Sequence, residues 1–160
     1  LKYHCGSALE MPFADGSFDV IWTQHVAINI REKEKLYQES ARCLKPGGTF
    51  VIYDILAGDN QPIHFPVPWA KDQEMSFLAT SGEMKTYLES TGMKIMNFQD
   101  KTKESIEWIR SMKEKSEKDG PPRLGIHLLL GDDFDIKLGN VYRNLMENRI
   151  AVAHFIAKKK

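Results

Sequence analysis

The chain has 160 residues, 42% of them hydrophobic, and its 22 Lys and Arg balance 22 Asp and Glu to a formal net charge of zero. That apolar content supports one domain with a core and excludes a disordered tail, while the missing basic excess argues against a dedicated nucleic-acid binder. No apolar run approaches the ~18 residues of a membrane span, no signal peptide is visible, and Cys5 and Cys43 form no CxxC pair or disulfide framework, so a cytoplasmic, reducing setting is expected.

Leu1 to Cys5 reads as the end of a strand, and its opening in mid-pattern without an initiator Met leads us to expect sequence upstream. Gly6-Ser7-Ala8 is a small-residue turn where backbone can approach a ligand. Leu9 to Phe13 is a loop or one helical turn closed by Pro12, and Asp15-Gly16 is a turn signal. The run Phe18 to Thr23 predicts a strand, its near-continuous apolar character suiting cover on both faces, with Gln24-His25 at its C-terminal end. Asn29, with Glu32 three residues on, has capping-box spacing and is expected to open a helix. Leu36, Tyr37, Ser40, Ala41 and Leu44 share one face of that helix. Lys45 suits its C-terminus, and Pro46 and Gly47 stop it before a strand from Thr49 to Asp54. Strand, helix and strand make a βαβ unit with parallel neighbours.

Leu56 to Trp69 is a long loop containing Pro62, Pro66 and Pro68, of the kind that is usually functional or mobile. Lys71 to Leu78 is expected to be helical, and Ser81 to start a helix through Met84, Tyr87 and Leu88 that stops at Thr91-Gly92. Met93 to Phe98 predicts a strand, then Lys103 to Lys118 a charged, largely solvated helix anchored by Ile106, Trp108, Ile109 and Met112. Asp119-Gly120-Pro121-Pro122 breaks it, and Leu124 to Leu130 is apolar without a clear period. Asp135 to Met146 is the last long helix, Ile150 to Ala157 a closing strand and Lys158 to Lys160 a solvated end. Apolar runs alternating with helices give the α/β class, in one domain over residues 1–160.

Four pieces in order, Gly6-Ser7-Ala8, Met11-Pro12-Phe13, Asp15-Gly16-Ser17-Phe18-Asp19-Val20-Ile21-Trp22 and Leu44-Lys45-Pro46-Gly47-Gly48-Thr49-Phe50, resemble the second half of class I S-adenosylmethionine-dependent methyltransferases. A shorter stretch, Phe65-Pro66-Val67-Pro68-Trp69-Ala70 with Ser76-Phe77-Leu78, is similar to the sarcosine/dimethylglycine methyltransferase-like subgroup; the resemblance runs from about Leu1 to Thr102. It implies a Rossmann-like, doubly wound fold with a mostly parallel sheet, S-adenosylmethionine as cofactor and a small-molecule acceptor, foremost an amine such as sarcosine or dimethylglycine. The enzyme alternative is O- or C-methylation of a quinone or sterol. The non-enzyme alternative is a truncated, cofactor-free α/β module that dimerises. A homodimer is the assembly considered, with no nucleic acid and no membrane as partner. The family's Gly-rich loop and its ribose-binding acid have no counterpart here, so the chain resembles a C-terminal part that lacks the N-terminal strands. Ser7 stands where the family commonly has an Asp facing the adenine amino group, and a neutral acceptor there bonds more weakly.

Ligands of open α/β sheets lie beyond the carboxyl ends of the strands. Gly6, Ser7 and Ala8 follow the first strand and can offer N–H groups and a hydroxyl to a purine edge; the plain alternative is an ordinary turn. Thr23 and Gln24 follow the second and are expected at the cofactor. His25 is the catalytic candidate, able to orient or deprotonate the acceptor, or else a hydrogen-bonded histidine lining the crevice. Transfer from a sulfonium releases a neutral leaving group, so alignment and exclusion of water can carry most of the rate. His64, Phe65 and Trp69 are the substrate-binding candidates, with Tyr53 and Trp22 as further aromatic walls for a methylated amine; the alternative is a lid that packs on the core. Lys71 and Arg123 are candidates for a substrate carboxylate, and the five histidines show no metal-ligand spacing.

Overall fold

Four strands form one sheet in the order β1-β2-β4-β3 in the computed structural model, which describes residues 1–120 and 124–160. In chain order the elements are β1 (Phe18–Gln24), α1 (Lys33–Cys43), β2 (Leu44–Ala57), α2 (Ser81–Ser90), β3 (Met93–Asp100), α3 (Thr102–Asp119), α4 (His127–Leu130), α5 (Phe134–Met146) and β4 (Ile150–Lys159). Short 3₁₀ turns sit at Ala27–Asn29, Gln73–Met75 and Gly131–Asp133.

The alternation in β2 sets the layers. Phe50, Ile52, Asp54 and Leu56 are buried on one face, where Leu36, Tyr37 and Ala41 of α1 and Met84 and Leu88 of α2 pack. Tyr53 and Ile55 point to the other face, against Ile63, Val67 and Ala70 of the long loop, Ile109 of α3 and Val141 and Leu145 of α5. The helical face read from Leu36, Tyr37, Ser40, Ala41 and Leu44 is buried throughout.

β1 and β2 are parallel, as the βαβ unit requires, but the sheet as described is mixed and less parallel than the mostly parallel one expected: β4 runs antiparallel to both β2 and β3. The cause is the return of the chain from α5 through Glu147–Arg149 at the end of β2, pinned where the Gly58 N–H donates to the Arg149 carbonyl at 2.9 Å. β4 therefore begins beside Ala57 and runs back along β2.

Other expectations are corrected. β1 is an edge strand covered on one side only, with Val20 and Trp22 58% and 67% exposed. Leu1 to Cys5 is exposed coil, because no described strand lies alongside it to accept a ladder. The helix expected from Asn29 starts at Lys33, and Asn29 instead donates its amide to the Trp69 and Met75 carbonyls at 2.7 and 2.9 Å. α1 also ends earlier, at Cys43, because Pro46 disfavours helical backbone at the residue before it; Leu44 is already paired with Phe18. Lys71 to Leu78 holds a single 3₁₀ turn, since the Asp72 carboxylate takes the Glu74 N–H and Phe77 donates across to Ile28. Trp108 is exposed on α3, leaving Ile109 as its buried anchor. No helix among the described residues is long and apolar enough to cross a membrane.

Candidate functional site

The parallel pair β1 and β2 ends at Gln24 and Ala57, and the groups with chemistry gather there. His25 follows β1 directly, in left-handed backbone with φ of 53°. A β-carbon makes that region unfavourable by about 1 kcal/mol, so the position must be held by its surroundings. The His25 N–H donates to the Tyr53 carbonyl at 3.0 Å, and the two rings meet edge to face at 5.4 Å. Nδ1 stands 3.8 Å from Oδ1 of Asp54, within ion-pair range and beyond a hydrogen bond.

Asp54 is fully buried. Its Oδ2 accepts the Ala27 N–H at 3.1 Å, and its Oδ1 accepts the Ile55 N–H at 2.9 Å. The buried Lys33 ammonium donates to the carbonyls of Ala27 and Ile30, both at 2.7 Å. Burial pushes the Lys33 ammonium pKa down, against the opposing pull of Asp54 and Glu83. The Ala27 residue is thus clamped from both ends, carboxylate on its N–H and ammonium on its carbonyl, and this fixes the crossing from β1 to α1. Nearby, the Tyr37 hydroxyl meets the Met84 sulfur at 3.1 Å, and burial pushes its phenol pKa up.

Two clefts open beside this clamp. One, of about 440 Å³, is walled by Ser7, Ala8 and Leu9 on one side and Asn29, Ile30, Arg31, Glu32 and Phe77 on the other. The second, of about 380 Å³, takes Lys33, Ala57 and Glu83 from the sheet side and Gln61, Gln73 and Ser76 from the long loop and its continuation. Arg31 and Phe77 line both.

The expected site residues are placed as follows. Ser7 and Ala8 line the first cleft, with the Ser7 hydroxyl oxygen accepting the Leu9 N–H at 3.1 Å; Gly6 precedes them outside that wall. Thr23 and Gln24 are paired with Ile52 and Tyr53 and line neither cleft. His64 is tied to the end of α5, its Nε2 2.8 Å from Glu147 and its N–H donating to Asn144 at 2.8 Å. Phe65 and Trp69 pack on the second core cluster, and the Trp69 indole N–H donates to Ser76 at 3.0 Å. Trp22 lies on the open face of β1. Lys71 is exposed outside both clefts, and Arg123 lies outside the described residues. Sequence reasoning did not single out Asp54, Lys33, Arg31 or Glu83. Only Asp54 carried a signal, as a lone carboxylate closing an apolar strand. No cluster of three His, Cys, Asp or Glu among the described residues is placed to hold a metal ion.

The methyltransferase domain family matches residues 1–52. A sarcosine/dimethylglycine N-methyltransferase of Aphanothece halophytica is 30% identical over 101 residues, 63% of this chain and 36% of that protein. A sterol 24-C-methyltransferase of Neurospora crassa is 40% identical over 60 residues, 38% of this chain and 16% of that protein. Among solved structures, a putative sarcosine dimethylglycine methyltransferase from Galdieria sulphuraria superposes with a TM-score of 0.75 at 19% identity, over 97% of this chain and 58% of that one. Phosphoethanolamine N-methyltransferase 2 of Haemonchus contortus, solved with S-adenosyl-L-methionine, gives 0.76 at 18% identity, over 96% and 36%. The chain spans about a third of the length of the sarcosine/dimethylglycine relative it matches.

Proposed function

We propose that the chain is a class I S-adenosylmethionine-dependent methyltransferase sequence and serves methyl transfer to a small amine of the sarcosine or dimethylglycine type. The observation that carries the reading is His25 beside the buried Asp54, at the carboxyl ends of the parallel strands where an α/β sheet presents its ligands.

S-adenosylmethionine, when bound, supplies a methyl group activated on a positively charged sulfur. The residues present fit one edge of it: the Ser7 hydroxyl keeps its own proton to donate while accepting from Leu9, on the wall of a cleft of about 440 Å³. An amine acceptor arrives mostly as ammonium near neutral pH and must lose a proton before its lone pair can attack. The Asp54 carboxylate beside Nδ1 of His25 favours a proton on that nitrogen, leaving Nε2 to receive the one from the acceptor. The Ala27 clamp holds this pair in register.

A sterol acceptor is the second reading, favoured by the 40% identity to a sterol methyltransferase over 60 residues. The polar groups around the 380 Å³ cleft, Arg31, Lys33, Gln61, Gln73 and Glu83, suit an amine bearing further charge better than a sterol skeleton. The test is a methylation assay of dimethylglycine against a sterol, on this chain completed with the N-terminal half of a class I methyltransferase and on its His25→Gln variant; the chain by itself is expected to be inactive. We expect the completed protein to methylate dimethylglycine, and His25→Gln to lower kcat/KM on the order of 10²-fold or more. Methylation of the sterol alone, or an unchanged kcat/KM in His25→Gln, refutes the reading.

A further inference from the structure

Among the described arginines, Arg31 and Arg110 lack a carboxylate partner, and Arg110 is instead engaged by the Tyr142 hydroxyl. Arg42, Arg143 and Arg149 each meet a carboxylate. Among the described residues no carboxylate is paired with Arg31; its guanidinium lies over the Phe77 ring, 4.7 Å from the centroid. Stacking on a ring holds the guanidinium plane in place while leaving its N–H groups at the rim free to donate. The backbone under the ring is tied to the crossing from β1 to α1, where the Phe77 N–H donates to the Ile28 carbonyl at 2.8 Å. Arg31 is thus an exposed cation that rests on Phe77 and lines two clefts, one walled by Ser7 and Ala8 and the other by Gln61, Gln73 and Ser76. The one carboxylate on the wall of the second cleft, Glu83, is already committed: it accepts from the Thr80 N–H at 2.7 Å and the Thr80 hydroxyl at 2.9 Å, and these bonds hold its pKa below the usual range. It stays ionised without serving as partner to Arg31.

A fork of donors over an aromatic ring, in a cleft that also presents the Lys33 ammonium and the Gln61 and Gln73 amides, with the Glu83 carboxylate bound to Thr80, matches the two oxygens of a carboxylate. We propose that Arg31 is the carboxylate anchor of the acceptor and so determines specificity for amines that carry one. This deepens the amine reading above and rests on it.

The test follows the Arg31 Nε–H by nuclear magnetic resonance while the chain is titrated with acetate, dimethylglycine and dimethylaminoethanol, the last an amine without a carboxylate. Acetate and dimethylglycine are expected to shift the Arg31 resonance. Arg31→Gln is expected to weaken dimethylglycine at least tenfold, and Arg31→Lys, which keeps the charge and loses the fork, by less. Dimethylaminoethanol should leave the Arg31 resonance unmoved, and an unchanged backbone amide spectrum shows that each variant is folded. Equal dimethylglycine affinity in the wild type and Arg31→Gln, or an Arg31 resonance that acetate does not move, overturns the anchor. Acetate and dimethylglycine that shift Arg31 with equal affinity uphold a carboxylate anchor and remove the amine from the reading, so the two ideas fail separately.

Discussion

Single residues carry the sharpest tests of the fold. Gly47 has φ of +75° and nothing within 4 Å of the place a β-carbon would occupy, so only its backbone opposes a side chain there. Gly47→Val should lower stability by about 1–2 kcal/mol, read from the urea midpoint; an unchanged midpoint would remove the left-handed requirement. Gly58 differs, because a β-carbon there would overlap the Asn148 carbonyl in the close passage between β2 and the α5–β4 turn. The Gly47 constraint is legible in Pro46-Gly47-Gly48, whereas the Gly58 constraint depends on a residue far along the chain. Glu147 gathers Arg143, Arg149 and His64, whose hydrogen bonds lower its pKa to about 2. A depressed carboxylate stabilises above its unfolded pKa of about 4.3 and loses that contribution as pH falls through the folded value. Thermal melts should therefore show Glu147→Gln less stable than the wild type at pH 6, with the gap closing between about pH 4.5 and pH 2. A gap independent of pH would show that the carboxylate charge is not what ties the loop to α5.

At the scale of elements, helix boundaries depend on caps that compete. Asn29 and Glu32 have capping-box spacing, yet the working box is Thr80 with Glu83: Glu83 N–H donates to the Thr80 hydroxyl at 3.2 Å and Thr80 N–H to the Glu83 carboxylate at 2.7 Å. Tertiary partners took Asn29, whose amide gains two carbonyls from the long loop, and no local pattern reveals that choice. The apolar face of α1 was legible because burial follows the helical period directly, and Trp108 was misjudged because one face of α3 has nothing packed on it. Thr80→Ala should cost about 1 kcal/mol and fray the first turn of α2, seen as faster amide exchange at Gly82 and Glu83. Protection unchanged at both amides would show that the box adds nothing.

At the scale of the whole molecule, the described sheet has one parallel pair and two edge strands, β1 and β3. The parallel unit was legible because β1, α1 and β2 are consecutive, while the insertion of β4 between β2 and β3 is a long-range choice made by the α5–β4 turn. The candidate site was legible only in part: His25 follows β1 as expected and the Ser7 turn follows coil, but Asp54, Lys33 and Arg31 have partners that folding alone brings near. On the free side of β1 the backbone edge is unpaired within the described sheet, and Val20 and Trp22 face solvent. Such an edge invites pairing with another chain. Sedimentation velocity should detect self-association of residues 1–160 that Trp22→Lys reduces. The same edge bears on cofactor affinity. On the proposed reading His25 and the Ser7 turn would offer one flank of the site, while the family's Gly-rich loop and ribose-binding acid have no counterpart in this sequence. Lacking even two hydrogen bonds to charged groups removes roughly 3–6 kcal/mol, or about two to four decades in affinity. Calorimetric titration of the chain with S-adenosylhomocysteine is therefore expected to show binding weaker than micromolar at concentrations where the chain is monomeric. Micromolar binding by the monomer would mean that the clefts beside Arg31 hold the whole cofactor. Micromolar binding that appears only as the chain self-associates, and is lost in Trp22→Lys, would mean that a second copy across the β1 edge completes the site.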